Sequence, residues 1–280
     1  MKNKIYLCSF ASPDLKRSVN RFINQSTKIN IYKKIKVFGH TDLPEKKKIQ
    51  INNFLKLKQK RLYGYGCWKA SIIKSYLNQI PQNSILQYSD IGCHFNLDGL
   101  ERLRYYFNLC NKKNILTFQY KLPNFKKYSN FKFQKYYEYE FTKKDLINYL
   151  NISDKSKIFK TEQIMSGVIF FKNNQFSKRI LEEWERLLSI NNLIDDSTSK
   201  KKNHKKFIEH RHDQSIFSLI CKKNNIFSLS ASECEWAEIN NLRTWNHLSK
   251  FPIHARRDKK YNILKRFINR QQKNIRRVFG

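Results

Sequence analysis

The sequence predicts one α/β domain with a mixed, mainly parallel sheet flanked by helices. Residues 4–10 form an apolar run rich in β-type residues, and the Ser12-Pro13-Asp14 triplet after it is typical of a helix start. A helical stripe follows, and residues 29–38 return to a β-type pattern. A β-α-β beginning of this kind indicates parallel strands with helices on the faces of the sheet.

The same alternation continues along the chain. Further strands are predicted where β-rich runs end at turn residues, at 84–88, 114–120, 168–171 and 226–229. Helices are predicted where apolar residues recur at helical spacing, at 15–23, 68–80, 98–109, 142–150, 175–190 and 209–220. Ser12 and Thr142 are the expected caps of two of them. Residues 43–60 predict a surface loop with a short helix, and residues 191–206 predict a mobile loop without hydrophobic anchors.

The composition is strongly basic. The 280 residues include 56 Lys and Arg against 22 Asp and Glu, a formal charge of +34. Such a charge favours polyanionic partners, whether nucleic acid, anionic lipid or a phosphorylated substrate, although a lysine- and asparagine-rich codon bias is an alternative source of it. The six cysteines form no C-x-x-C pair, the first residues do not resemble a signal peptide, and no apolar run reaches the roughly 20 residues of a membrane span. We therefore expect a reduced, cytoplasmic protein.

A buried strand that ends abruptly in an acid is the first candidate site. The run SILQY stops at Asp90, and Gly92 follows in the same turn. Open α/β sheets bind ligands at the carboxyl ends of their strands, and a glycine lets a phosphate or sugar approach the backbone closely. The alternative is a plain turn in which Gly92 supplies a positive φ.

A second candidate site begins the helix near residue 210. His210, Arg211, His212, Asp213 and Gln214 place two imidazoles, a guanidinium and a carboxylate in five residues. Asp213 is a candidate general base or a group that orients sugar hydroxyls, and a guanidinium can pair with phosphate through two hydrogen bonds. Alternatively, Asp213 caps the helix, His212 faces solvent and Arg211 is an ordinary surface charge.

Two basic stretches admit two interpretations each. Residues 121–139 interleave lysines with aromatics, which could stack on bases, or could fold back onto the core as part of a surface loop. Residues 258–280 predict a basic amphipathic helix, which suits either an anionic membrane interface or a docking face on the main domain.

Five blocks occur in an order that resembles a known family. ILQYSDIG, with GYGCWKASII before it and YEFTKKDLINYL, QIMSGVIFFKN and HRHDQSIFSLI after it, is similar to blocks of bacterial GT-A type glycosyltransferases that use nucleotide-sugars to build surface polysaccharides. The resemblance covers roughly residues 4–257. It implies a GT-A-like, Rossmann-like domain at 1–257 that is followed by the basic helix at 258–280.

The resemblance also implies roles for individual residues. Asp90 matches the first acid of the family's metal-binding "DxD" turn, but Gly92 stands where the second acid usually lies. A divalent cation, Mn²⁺ or Mg²⁺, would then be held by Asp90 with His254. Asp90 and Asp213 would be the catalytic acids. The residues expected at the donor phosphates are Trp68, Lys69, Tyr88, Ser89, Gly92, His254 and Arg256. Those expected at the acceptor or the sugar are Gln163, Ser166, Gly167, His212 and Gln214.

Simpler structural interpretations stay open for several of these residues. A position of Trp68 in the core is predicted equally well, and the small residues of 163–167 are also typical of an ordinary turn before a strand.

The expected activity is transfer of a hexose from a nucleotide-sugar to a hydroxyl of a lipid-linked glycan, lipopolysaccharide or capsule precursor. The resemblance places this reaction at the cytoplasmic face of a membrane, with anionic lipid as a peripheral contact and with no nucleic-acid partner. The alternative is a nucleic-acid-binding protein that uses its basic surface. A third possibility is the same fold moving a different phosphate-linked group.

Overall fold

A computed structural model describes residues 4–57, 61–123 and 130–256, together with residue 271. The predicted basic helix at 258–280 lies outside the described residues, apart from Gln271, and its boundary with the main domain stays a prediction. Six residues of the basic-aromatic stretch, 124–129, also lie outside them.

The predicted mixed, mainly parallel sheet is confirmed. Six strands lie side by side in the order β2-β1-β3-β7-β5-β8. β1, β2 and β3 are mutually parallel, β5 and β8 are parallel, and β7 runs antiparallel to both of its neighbours, β3 and β5. The strands are β1 (Ile5–Phe10), β2 (Lys34–Phe38), β3 (Ile85–Ser89), β5 (Ile115–Gln119), β7 (Val168–Lys172) and β8 (Ser228–Ser230).

The direction of β7 determines which loops meet at the end of β3. Ser89, the last residue of β3, is paired with Val168, the first residue of β7. The turn after β3 therefore lies against the residues that precede β7, and the backbone N–H of Asp90 donates to the carbonyl of Gly167 over 2.8 Å. Two stretches that are almost 80 residues apart in sequence thus share one edge of the sheet.

Two smaller sheets were not predicted. β4 (Cys93–Phe95) pairs with β11 (Ile253–Ala255), and β9 (Ala237–Ile239) lies between β10 (Leu242–Thr244) and β6 (Lys132–Phe133). Strands of two or three residues carry too few side chains to show a periodic pattern. The pairing of β4 with β11 brings the end of the described chain back beside the turn at Asp90.

The helices pack on both faces of the central sheet. They are α1 (Lys16–Lys28), α2 (Glu45–Leu55), α3 (Leu62–Tyr65), α4 (Lys69–Gln79), α5 (Leu100–Lys113), α6 (Glu138–Phe141), α7 (Lys144–Tyr149), α8 (Lys157–Lys160), α9 (Gln175–Leu188), α10 (Asn191–Ile194) and α11 (His212–Lys223). Single 3-10 turns lie at 13–15, 40–42, 97–99, 231–233 and 246–248.

Each face of the sheet carries its own apolar core. Trp184 of α9 packs on Phe217 of α11 with ring centroids 4.4 Å apart, in the cluster that also contains α4. On the other face, Tyr106 of α5 contacts Phe118 and Phe170 of the sheet. Burial of one such large side chain stabilises the fold by about 2–3 kcal/mol, so these rings hold the helices that present the site.

Three predictions about local structure were wrong. Neither Ser12 nor Thr142 caps a helix, because the Ser12 hydroxyl donates to Asp14 at 2.5 Å and the Thr142 hydroxyl donates to Glu138 at 2.7 Å. Residues 191–206 do have hydrophobic anchors, since Leu193 and Ile194 are buried. Two apolar residues in a polar stretch give no periodicity, which is why the pattern did not reveal them.

The six cysteines are free thiols and all are buried, as the absence of paired spacing predicted. Within the described part of the chain, no helix combines the length and the apolar character that crossing a membrane requires.

Candidate functional site

Three elements meet at the carboxyl edge of the sheet. Asp90 follows β3, Lys69 is the first residue of α4, and Asp213 lies in the first turn of α11. Lys69 Nζ is 3.2 Å from Asp90 Oδ1 and 2.7 Å from Asp213 Oδ2. We call these three residues the Lys69 cluster. The sequence predicted each of them as a site residue, and the structure brings them into direct contact.

The loop before β7 closes one side of the Lys69 cluster. The Ser166 hydroxyl donates to Asp213 Oδ2 over 2.8 Å, and Lys69 Nζ donates to the Ser166 carbonyl over 3.3 Å. Gly167 comes so close to Asp90 that a Cβ there would lie 2.9 Å from Asp90 Oδ2. Ser166 and Gly167 are thus part of the site, and a larger residue at 167 would displace the Asp90 carboxylate.

Tyr88 supports Asp90 from within the sheet. Its hydroxyl donates to Asp90 Oδ1 over 2.7 Å, and the ammonium of Lys69 lies 5.4 Å from the centre of its ring. Burial, followed by the charge of Asp90, raises the pKa of Tyr88 well above its ordinary value. The phenol therefore stays protonated and keeps donating to the carboxylate.

The two acids of the Lys69 cluster differ in exposure. The Asp213 side chain is 3% exposed, whereas that of Asp90 is 49% exposed. Burial raises the pKa of Asp213 above its ordinary value, although Lys69 and Ser166 oppose the rise. Burial alone would lower the pKa of Lys69, but the charges of Asp213 and Asp90 outweigh it and raise the pKa to about 12. A bound molecule would therefore meet Asp90 directly, with Lys69 and Asp213 beneath it.

An unusual backbone leads into the Lys69 cluster. Leu62, Tyr63 and Tyr65 have φ values of 47°, 51° and 57°, and Gly64 and Gly66 have φ values of 80° and 75°. Each non-glycine residue held in this left-handed region costs about 1–2 kcal/mol. Residues with such backbone strain cluster at functional sites, where the surrounding structure enforces them.

Contacts on both sides hold this left-handed segment, residues 62–66. The indole N–H of Trp68 donates to the Tyr63 carbonyl over 3.1 Å, and the Tyr65 ring lies 4.6 Å from the ring of His212. Gly66 abuts the Asp213 carboxylate, since a Cβ there would be 2.9 Å from Asp213 Cγ. The segment thereby fixes the start of α4, and with it Lys69, against α11.

Arg21 is a site-supporting residue that the sequence did not reveal. From α1, its guanidinium donates to the carbonyls of Ile91 and Cys93, each over 2.7 Å. These carbonyls flank Gly92, so Arg21 fixes the turn that carries Asp90. A lone arginine on a helix surface gives no pattern from which this long-range contact could be predicted.

Two other predicted donor residues, Trp68 and Ser89, take structural positions, and Gly92 does not supply the positive φ of the alternative interpretation. Trp68 stacks on Phe10 with centroids 3.8 Å apart and is 7% exposed, so the alternative that placed it in the core was correct. Ser89 is buried and accepts from the side-chain amide of Gln87 over 2.9 Å. Gly92 does not have a positive φ; among the described glycines, Gly64 and Gly66 do.

Gln163 and His212 are buried, which contradicts their predicted acceptor contacts, whereas Gln214 is partly exposed and its acceptor contact stays a prediction. Gln163 is 0% exposed, and its side-chain N–H groups lie within hydrogen-bond distance of Glu138, Phe141, Thr142 and Ser215. His212 is also fully buried, with Nδ1 2.7 Å from the Ile194 carbonyl. Gln214 donates to Gln163 over 2.8 Å. Gln163 and Gln214 thus bond to each other, and the buried side chains of Gln163 and His212 have no access to a bound sugar.

His254 and Arg256 lie on or next to β11. The register pairs His254 with His94, and its Nε2 donates to the carbonyls of Leu248 and Phe251 over 2.9 and 3.2 Å. Arg256 packs over the Trp245 ring at 5.2 Å. Main-chain hydrogen bonds therefore engage Nε2 of His254.

The donor set at this edge does not fit a divalent cation. Of the two predicted ligands, His254 Nε2 is held by carbonyls, and Asp90 Oδ1 already accepts from Lys69 and Tyr88. Mg²⁺ and Mn²⁺ need several oxygen ligands, and Gly92 supplies none from a side chain. In the described ranges, no three His, Cys, Asp or Glu side chains come together in a way that could hold a metal ion.

Comparisons with known proteins place the chain beside solved glycosyltransferases. No family model matches the chain, and no curated protein sequence does. One similar structure is a glycosyltransferase involved in glycosylation of the major capsid of PBCV-1, with 10% identity, 96% of this chain and 99% of that chain covered, and a TM-score of 0.49. Another is the apo form of the glycosyltransferase GlyE from Streptococcus pneumoniae, with 13% identity, coverage of 82% and 46%, and a TM-score of 0.41.

Mouse xyloside xylosyltransferase 1 in its apo form is a third, with 8% identity, coverage of 83% and 86%, and a TM-score of 0.38. The chain spans less than half of GlyE.

Proposed function

We propose that this protein is a glycosyltransferase that moves a hexose from a nucleotide-sugar to a hydroxyl of a lipid-linked glycan, lipopolysaccharide or capsule precursor. The observation that carries the proposal is the position of Asp90. From β1 the strand order continues to β2 on one side and to β3 on the other. Ligands of open α/β sheets bind at such a switch point, at the carboxyl ends of the strands, and that is where Asp90 projects.

The chemistry of the Lys69 cluster suits a polyhydroxylated substrate. A half-exposed carboxylate accepts hydrogen bonds from sugar or ribose hydroxyls, and such charge-assisted bonds are stronger than neutral ones. Tyr88 and Lys69 both contact Asp90 Oδ1, and Gly167 lies against Oδ2, so the carboxylate is fixed before a ligand arrives. Fixed geometry of this kind supports catalysis by orienting reactants.

Within this proposal the three residues have different roles. Asp90 contacts the substrate. Lys69 compensates the charge of both acids, and Asp213, held by Lys69 and Ser166, keeps the ammonium in place. Asp213 is therefore a positioning residue in the conformation described, because its side chain is 3% exposed.

The structure of the basic-aromatic stretch weakens the nucleic-acid alternative. Within its described part, Tyr136 packs against Tyr120 and Phe141 with centroids 4.6 and 5.0 Å apart. The Arg211 guanidinium lies 3.6 Å from the centre of the Tyr136 ring. The rings pack edge to face and the guanidinium covers the Tyr136 ring, so Tyr136 does not offer an open face to bases.

Peripheral association with an anionic membrane at the cytoplasmic face is part of the proposal. Its support is the formal charge of +34 and the amphipathic pattern of residues 258–280. Deletion of residues 263–280 followed by sedimentation with anionic liposomes tests it. Unchanged binding to the liposomes would remove the tail from this role.

The test of the activity is donor profiling. Wild-type protein is incubated with a panel of nucleotide-sugars, and release of the nucleoside diphosphate is measured with and without candidate glycan acceptors. Asp90→Asn should lower the rate about 10- to 100-fold, because it removes a charged acceptor of substrate hydrogen bonds. Asp98→Asn, an exposed acid eight residues further along, is the matched control and should keep the rate.

Thermal-shift measurements separate the two candidate functions. Stabilisation by a nucleotide-sugar supports the transferase. Stabilisation at physiological salt by single-stranded RNA, with none by any nucleotide-sugar, would favour the nucleic-acid function instead.

A further inference from the structure

A polar cavity lies apart from the Lys69 cluster and shares no lining residue with it. Its volume is about 280 Å³, just below the range of about 300–1,000 Å³ that is typical of small-molecule sites. The cavity walls are formed by Arg61, which directly precedes the left-handed segment, by the residue before α7 and by the loop between α10 and α11. The residues that the argument uses are Arg61, Lys143, Asp196, Thr198, Phe207 and Glu209.

The charges in the walls are already paired. Arg61 lies 3.3 Å from Asp196 Oδ1 and 3.1 Å from Glu209 Oε2. Lys143, whose side chain is 2% exposed, lies 3.3 Å from Asp195 Oδ1 and donates to the Ser197 carbonyl over 3.0 Å. Cations that are engaged in this way are not available to bind a phosphate, and carboxylates engaged with cations are poor ligands for a metal ion.

The remaining lining favours a neutral molecule with many hydroxyls. The Ser197 hydroxyl donates to Asp195 and the Ser199 hydroxyl donates to Asn203, so these two offer lone pairs to the hydroxyls of a ligand, while the Thr198 hydroxyl and the side-chain N–H groups of Asn203 can donate to it. Phe207 adds an aromatic surface, which can pack against the C–H face of a ring. Phe207 and Ile208 are the two apolar side chains of the lining, so an apolar ligand would leave most of the polar wall unsatisfied. We infer that this cavity binds one neutral monosaccharide unit.

Two chain segments connect the cavity to the Lys69 cluster. Arg61 lines the cavity and Gly66 contacts Asp213, with the left-handed residues between them. Likewise Glu209 and His210 line the cavity, and Asp213 lies three residues after His210 in the first turn of α11. Between the two sites lies His212, whose buried Nε2 makes no hydrogen bond and is 3.7 Å from Asp196 Oδ1. A sugar in the cavity would therefore contact residues that are joined directly to the catalytic edge.

The inference does not depend on the transfer reaction, so binding is measured directly. ¹⁵N-labelled full-length protein is titrated with methyl glucoside, methyl galactoside, methyl mannoside and N-acetylglucosamine, and amide shifts are followed by NMR. We expect at least one of these sugars to shift the amides around the cavity at millimolar concentration. Inorganic phosphate in a parallel titration should leave those amides in place.

Thr198→Trp tests whether the binding occurs in this cavity. Thr198 is an exposed lining residue, so an indole there fills the cavity without breaking the ion pairs around Arg61 and Lys143. The variant should bind the sugar at least about tenfold more weakly. Thr27→Trp, at an exposed position of α1, is the control and should bind like wild type.

A second variant covers the case in which Thr198→Trp disturbs folding. Phe207→Leu keeps an apolar side chain and removes the aromatic face, and it should weaken binding in the same titration. The inference is overturned if no sugar shifts these amides, if phosphate shifts them in place of a sugar, or if sugar binding survives in Thr198→Trp with an unchanged Tm.

Discussion

Lys69 Nζ lies 2.7 Å from Asp213 Oδ2, and both side chains are almost completely removed from solvent. A charge pair buried in this way holds α4 against α11, and loss of one partner leaves the other charge uncompensated in the interior. The half-exposed Asp90 lies on top of this pair. Three of the four predictions below follow from this edge of the sheet, and one concerns the wall of the sugar cavity.

Replacing Lys69 by Met should lower the free energy of unfolding by about 3–5 kcal/mol, because Asp213 is left buried without its cation. The measurement is urea unfolding of the full chain. The double variant Lys69→Met with Asp213→Leu removes both charges and should recover part of the loss. If the single variant unfolds within about 1 kcal/mol of wild type, the pair does not have this role.

Gly66→Ala should destabilise the protein by about 2 kcal/mol or more, because φ is 75° and the new Cβ would lie 2.9 Å from Asp213 Cγ. Gly39→Ala is a matched control. Gly39 has φ of −120°, and its added Cβ would meet nothing closer than Asp42 Oδ2 at 3.8 Å. Equal unfolding midpoints for the two variants would contradict the argument.

The stability should fall in mild acid because of His210. Burial lowers the pKa of His210 from 6.5 to about 3, so between these values the unfolded chain binds a proton that the folded protein does not. His210 therefore leaves the free energy of unfolding unchanged above pH 6.5. As the pH falls from 6.5 towards 3, this one residue lowers the free energy of unfolding by about 1.4 kcal/mol per pH unit.

The hydrogen bonds of His210 explain why the folded protein excludes this proton. Nε2–H donates to the Leu193 carbonyl, and Nδ1 accepts from the backbone N–H of Lys143. Unfolding by urea at several pH values should show a shallower slope for His210→Gln than for wild type. The same slope in both proteins would assign the acid sensitivity to other groups.

Binding of a nucleoside diphosphate should not require a divalent cation. The turn offers Asp90 without a second acid at 92, so chelation by EDTA should change the Kd by less than about twofold. Calorimetry with UDP and GDP gives this value. Gly92→Asp supplies the missing carboxylate and should make the Kd respond to Mn²⁺. Loss of wild-type binding in EDTA would show that other residues hold a metal.

Much of the fold could be predicted because its strands are long enough to carry a pattern. The β-rich runs that became β1, β3, β5 and β7 end at clear turn signals, and Asp90 stands out because an apolar run stops there. The contact of Lys69 with two acids could not be predicted in this way. A lysine is expected at the surface, and the two acids that Lys69 contacts lie 21 and 144 positions away in the sequence.

The left-handed segment was beyond prediction for a related reason. Leucine and tyrosine disfavour positive φ, so their own preferences oppose the conformation that Leu62, Tyr63 and Tyr65 adopt. Packing on Ile51 and His212 overrides these preferences. Gln163 and His212 were misplaced because a polar side chain in a candidate site and one in a buried network look the same in sequence.

The end of β3 that lies opposite Asp90 carries none of the residues of the Lys69 cluster. The turn at 81–83 precedes β3, and β7 ends beside it, since Lys172 is paired with Ile85. Asp90 follows the opposite end of β3. Gln82 is exposed at this end. A fluorophore or affinity tag attached to a cysteine that replaces Gln82 would therefore lie a full strand length from Asp90. Immobilised or labelled protein could then be studied with the surroundings of Asp90 unobstructed.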